Sequence, residues 1–167
     1  RRIRSIGIYP LAAPAYLKAH GTPQKPEDLG RHDCFIYTLS SRQFDWTFGG
    51  TGGPSTVKVR GLLHANHGQL LLEPLRAGLG IALLPEFLLS ADVKAGKLVP
   101  ILAKYPVDPL SLFVVYPPSR HSSPKIRALV DIVADWFAPE QNWSETVTAS
   151  IEAAPTVRGK SRALHGA

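Results

Sequence analysis

Apolar residues recur along this chain with two different periods. From Ser123 onward, Ile126, Leu129, Val130, Val133 and Phe137 occupy positions i, i+3, i+4, i+7 and i+11. That is the spacing of one buried stripe on a helix, here with Pro124 at its first helical position. Pro14–His20 reads as a shorter helix with proline in its first turn and Gly21 as its stop. Residues 22–29 follow as a turn and a single helical turn. Short runs rich in β-branched and aromatic residues at 6–11, 33–39, 44–48, 56–60, 97–102 and 110–116 read as strands. Gly49-Gly50-Thr51-Gly52-Gly53-Pro54 separates two of them and suits a flexible hairpin. Strands and helices alternate, which predicts an α/β domain with a mixed sheet. After Phe137 the periodicity vanishes, small and polar residues dominate, and 138–167 is expected to be a disordered tail.

Gly61 to Phe87, GLLHANHGQLLLEPLRAGLGIALLPEF, holds the densest pattern. It predicts a strand end, a helix over 67–77 capped by Asn66 and ended by Gly78, and a buried strand at 80–84 leading to a further helix near Pro85. Pro74 lacks the amide that would bond the Leu70 carbonyl, so a kink or a shortened helix is expected. This is a βαβ unit, and open α/β folds hold ligands beyond the carboxyl ends of their strands. Candidate ligand contacts therefore lie at strand-to-helix junctions: Ala13 and Pro14, Asn66 and His67, Leu84 and Pro85. Backbone amides at a helix start suit a carboxylate.

The 167 residues suffice for one domain with a real core or for two small lobes. Apolar residues at 44% and charged residues at 19% are ordinary for a globular chain. No run approaches the roughly 18 apolar residues of a membrane span, and none reads as a secretory leader. The chain opens Arg1-Arg2-Ile3-Arg4 and contains no methionine, so it is expected to be part of a longer product.

A net charge of +6 invites a nucleic-acid partner, but the charge sits at the ends. Arg1, Arg2 and Arg4 open the chain and Arg158, Lys160 and Arg162 close it, leaving 13 basic against 13 acidic residues between positions 5 and 157. A DNA-binding face needs clustered phosphate contacts on the folded body, and none is legible here.

Several other chemistries fall away on spacing. The Gly49–Gly53 run leads through Pro54 into a strand and lacks the Gly-Lys-Ser/Thr of a phosphate loop. Gly78-Leu79-Gly80 has no third glycine and precedes a strand, unlike a dinucleotide fingerprint. His64 and His67 stand three apart, with no neighbouring cysteine or carboxylate pair to complete a zinc site. No Gly-x-Ser-x-Gly elbow is present, so no nucleophile can be matched to a base. Cys34 is alone in an apolar run, excludes a disulfide framework and reads as a small buried hydrophobe, in keeping with a reducing cytoplasm. No catalytic residue, metal or cofactor is expected.

The Gly61–Pro85 block, together with Ala13-Pro14-Ala15-Tyr16-Leu17, Gly21-Thr22-Pro23, Pro26-Glu27-Asp28-Leu29, Trp46-x-Phe48, Val115-Tyr116-Pro117 and Ser123-Pro124-Lys125-Ile126-Arg127, resembles the effector-binding domain of LysR-type transcription regulators. The resemblance implies a type 2 periplasmic-binding-protein-like fold of two α/β lobes joined by crossing strands, with a small-molecule effector in the cleft. Residues 1–137 would then be a partial effector domain: 12–112 the second lobe, 3–11 and 113–137 the hinge strands with a remnant of the first lobe. It also implies a cytoplasmic homo-oligomer that senses a small, anionic metabolite and touches DNA only through a helix-turn-helix domain absent from this chain. Ala13 stands where the family often has serine, and His67 where an acidic residue is common. A solute-binding protein of a transporter, which shares the two-lobed architecture, is the alternative; an enzyme on a similar fold ranks third.

Overall fold

Successive residues in three strands divide between two hydrophobic layers, as the two-residue period of a strand requires. Ala12, Cys34, Ile36 and Ile81 face one layer with Tyr16, Trp46 and Phe48, while Leu11, Phe35 and Ala82 face the other with Leu71, Leu75 and Leu89. The computed structural model behind this description covers residues 1–116 and 123–137; the expected 138–167 tail lies outside the described residues.

The strands are β1 (Arg2–Ile6), β2 (Ile8–Ala12), β3 (Asp33–Tyr37), β4 (Asp45–Phe48), β5 (Ser55–Lys58), β6 (Arg60–Ala65), β7 (Ile81–Pro85), β8 (Val99–Pro100) and β9 (Leu110–Phe113). The α-helices are α1 (Pro14–His20), α2 (Leu72–Arg76), α3 (Ser90–Lys94) and α4 (Pro124–Trp136). Five strands form a central sheet in the order β6-β3-β7-β2-β8. β3 runs parallel to β6 and β7, whereas β2 runs antiparallel to β7 and β8, so the sheet is mixed as expected. β4 and β5 form the hairpin expected around the glycine run. β1 pairs antiparallel with β9 in a separate ribbon, with Ile6 opposite Leu110.

Three expectations need correction. The apolar run 6–11 is not one strand of one sheet: the chain leaves the ribbon at Ile6 and enters the central sheet at Ile8. A Cβ on the intervening Gly7 would stand 2.7 Å from the Glu86 carboxylate and from the Tyr9 ring, so a side chain at the crossing would have to displace one of those groups. The 56–60 run likewise splits at Val59, β5 serving the hairpin and β6 the central sheet. Finally, of the α4 stripe only Val130 is buried; Leu129 is exposed.

The helix expected over 67–77 is a 3₁₀ turn at Gly68–Leu71 continued by α2. Pro74 explains the division, because within the first turn of α2 its missing amide interrupts no intrahelical bond. Asn66 does not cap it. Its backbone lies one residue too early, and the turn starts from His67 without a side-chain cap bond. Gly78 ends α2 as expected, at φ 74°, with its amide donating to the Leu75 carbonyl at 3.0 Å.

Candidate functional site

The carboxyl ends of β3, β6 and β7 share one edge of the central sheet because these strands are parallel. A cavity of about 690 Å³ opens there, within the range that small ligands occupy. β7 supplies Leu83, Leu84 and Pro85, and the 3₁₀ turn after it supplies Phe87 and Leu88. The 3₁₀ turn after β6, with its N-cap, contributes His67, Gly68 and Gln69, and the end of β3 with the segment after it contributes Tyr37, Leu39, Ser40, Ser41 and Arg42. Ile8 and Leu110 close it on the ribbon side.

Three of the six expected contacts therefore meet: His67, Leu84 and Pro85 line this cavity. Asn66 precedes His67 on the exposed surface and is not among the lining residues. Ala13 and Pro14 are misplaced by the expectation. β2 is antiparallel to β7 and pairs Ala12 with Ile81 and Ile8 with Pro85, so the end of β2 lies at the opposite edge of the sheet. Ala13 is buried in the core there. The strand-end rule holds for parallel strands, and a reversed strand points its carboxyl end away from the site.

Sequence reasoning missed Arg42, which lines the cavity. Its guanidinium donates to the Asp108 carbonyl at 3.0 Å, and its backbone amide donates to Ser40 Oγ at 3.1 Å. The Ser40 amide in turn donates to the Tyr37 carbonyl at 3.1 Å, which fixes the turn to the end of β3. The signal available was position: residues 38–42 follow a parallel strand, where the rule that selected Pro85 applies equally. Arg42 and His67 are basic, and among the described residues no carboxylate lines the cavity. The nearest buried acid, Glu86, points the other way, toward the ribbon, where Arg4 pairs with it at 3.1 Å.

Two further clusters hold the framework. Asp92, buried at the start of α3, accepts two hydrogen bonds from Arg76 at 2.9 and 2.6 Å, and Arg76 also contacts Glu73. At the far edge, the Asp33 amide donates to Tyr16 Oη at 3.1 Å, and the Tyr16 hydroxyl shares a second hydrogen bond with His32 Nδ1 at 3.2 Å. His20 stacks on Tyr16 with ring centroids 4.3 Å apart. Burial, then the His20 charge, lowers the His32 pKa. Burial pushes the Cys34 thiol up to about 12, so it stays protonated and unreactive. Among the described residues no three metal-ligating side chains cluster, and no helix is long and apolar enough to cross a membrane.

This chain and its fold have counterparts. The family model of the LysR substrate binding domain matches residues 1–138. The chain belongs to the LysR substrate-binding-domain family. It is 34% identical over 129 residues to an HTH-type transcriptional regulator of Haemophilus influenzae, covering 77% of this chain and 45% of that protein. It is 32% identical over 126 residues to the transcriptional activator TtdR of Escherichia coli K12, covering 75% of this chain and 40% of that protein. The LysR-type regulator CrgA of Neisseria meningitidis superposes with a TM-score of 0.67 at 28% identity, over 81% of this chain and 46% of CrgA. The Vibrio cholerae virulence activator AphB superposes with a TM-score of 0.71 at 26% identity, again over 81% of this chain and 46% of its own. The LysR-family domain described here thus has the type 2 periplasmic-binding-protein-like fold of these regulatory domains. It spans less than half the length of the curated relatives it matches.

Proposed function

We propose that this LysR-family domain is the effector-sensing part of a DNA-binding transcription regulator. It binds a small molecule without covalent chemistry. The observation that carries this is the cavity at the parallel strand ends, lined by apolar groups and two basic side chains, directly beside the β1–β9 ribbon. We assign residues 12–112 to one lobe, and 3–11 with 113–137 to the hinge and a remnant of the other. The separate β1–β9 ribbon supports that division. Effector contacts then include His67, Leu84 and Pro85. Ligand binding shifts the population between lobe arrangements through differential affinity, and a homo-oligomer in the cytoplasm transmits the shift.

DNA contact falls to a helix-turn-helix outside this chain, consistent with the balanced charge of residues 5–157. The naming of the relatives as transcriptional regulators favours sensing over solute transport.

The test is a promoter reporter driven by the intact regulator across a panel of carboxylate growth substrates. Ser41→Trp, which fills the cavity from an exposed loop position, should abolish the response and leave basal promoter occupancy intact. A response that survives Ser41→Trp unchanged would remove the cavity from the mechanism.

A further inference from the structure

The cavity's chemistry narrows what it takes. Leu39, Phe87 and Leu110 are 71%, 46% and 45% exposed, and all three line it. Large apolar groups gathered at one mouth mark a surface that gains by being covered. Deeper in, Leu83, Leu84 and Pro85 continue the apolar wall. Against this stands the cation Arg42, whose guanidinium donates to the Asp108 carbonyl, with the Ser40 and Ser41 hydroxyls beside it in sequence. The remaining donors of a planar guanidinium suit one carboxylate. Among the described residues, the lining offers no carboxylate to accept a ligand ammonium group and no second permanently charged side chain to hold a second anion.

We propose that the cavity takes a monocarboxylate with an apolar body, aromatic or branched aliphatic, whose carboxylate sits on Arg42 and whose body covers Pro85 and Phe87. The proposal rests on the effector-sensing role and names the ligand class for that site. Amino acids are disfavoured because their ammonium group finds no acidic partner, and short dicarboxylates because they lack a body to cover the apolar mouth.

The probes are benzoate, its neutral isostere benzamide, and succinate, titrated into the intact regulator that contains these 167 residues, with amide NMR and calorimetry as readouts. Benzoate should bind, with shifts concentrated at Ser40–Arg42 and Leu83–Phe87. Benzamide and succinate should bind at least about tenfold more weakly, the weight of one charge-assisted contact or of the lost apolar cover. Arg42→Gln should bring benzoate down to the affinity of benzamide and leave benzamide unchanged. If Arg42→Gln does not fold, the benzoate–benzamide ratio on the parent protein decides alone.

Equal binding of benzoate and benzamide, or no benzoate binding at about 10 mM, overturns the proposal. Tighter succinate binding at the same residues also overturns it, while leaving the cavity as the effector site. Benzoate shifts confined to other surfaces would instead remove the cavity itself.

Discussion

Replacing Arg76 with methionine removes a charge from the pair that ties the two walls of the cavity together. The 3₁₀ turn lining one side runs into α2, which carries Arg76, and the turn lining the other side precedes α3, which carries Asp92. The Asp92 side chain is only 6% exposed and that of Arg76 31% exposed. Breaking a fully buried pair by removing one partner costs about 3–5 kcal/mol, and an exposed pair contributes about 0.2–1 kcal/mol. One buried and one part-exposed partner place Arg76→Met near 2–3 kcal/mol, roughly 6–15 °C in the thermal midpoint of a domain this size. Methionine keeps most of the aliphatic stem, so the loss reports charge and hydrogen bonding rather than packing. Asp92→Asn should cost less, about 1 kcal/mol, because it leaves Arg76 free to reach water and keeps one acceptor. The double variant should show a coupling of about 1–2 kcal/mol in a denaturant-melt cycle. Additive losses, or Asp92→Asn costing more than Arg76→Met, would refute the reasoning.

Stability should fall as pH drops below about 6.5, the ordinary histidine value. His32 has a lowered folded-state pKa, so the unfolded chain takes up its proton first and the folded state loses ground until its own lower pKa is reached. His32→Gln should flatten thermal midpoints between pH 7.5 and 5, and an unchanged slope would exclude His32 as the source. Gly80→Ala should destabilise by about 1–3 kcal/mol, because its Cβ would meet the Asp33 carbonyl at 2.7 Å and the Phe35 ring at 2.8 Å; a chemical melt within error of the parent would contradict this. Asn66→Ala should change stability by less than about 0.5 kcal/mol, since the turn after it has no side-chain cap bond. A loss above 1 kcal/mol, the typical weight of a real N-cap, would show that Asn66 caps after all.

The α/β class, the ends of α1, the start of α4 and the hairpin were legible because each rests on local chemistry: proline at a first turn, glycine at a stop, a glycine run between alternating strands. The direction of β2 was not. Nothing in Ile8–Ala12 says which neighbour it joins, and its antiparallel placement moves Ala13 and Pro14 to the wrong edge while leaving Leu84 and Pro85 at the right one. The Arg42 turn, which only its position after a strand could have marked, was missed for a related reason. Residues 39–43 carry no turn signature that separates a ligand loop from a plain connection, and only the assembled sheet sets them beside Pro85. Asn66 shows a third limit: a good capping residue one position too early caps nothing.

Leu110 belongs to two structures at once. It is the rung of the ribbon opposite Ile6 and part of the cavity lining, while Ile8, on the far side of Gly7, lines the same space. Between rung and lining there is a single residue, a glycine packed against the Glu86 carboxylate and the Tyr9 ring. A molecule that presses on Leu110 and Ile8 therefore presses on the ribbon directly, and any torque on the ribbon from the rest of a longer protein reshapes the binding wall in return. Under the proposed lobe division, pocket and hinge work as one joint, so affinity and geometry become two measurements of a single free energy.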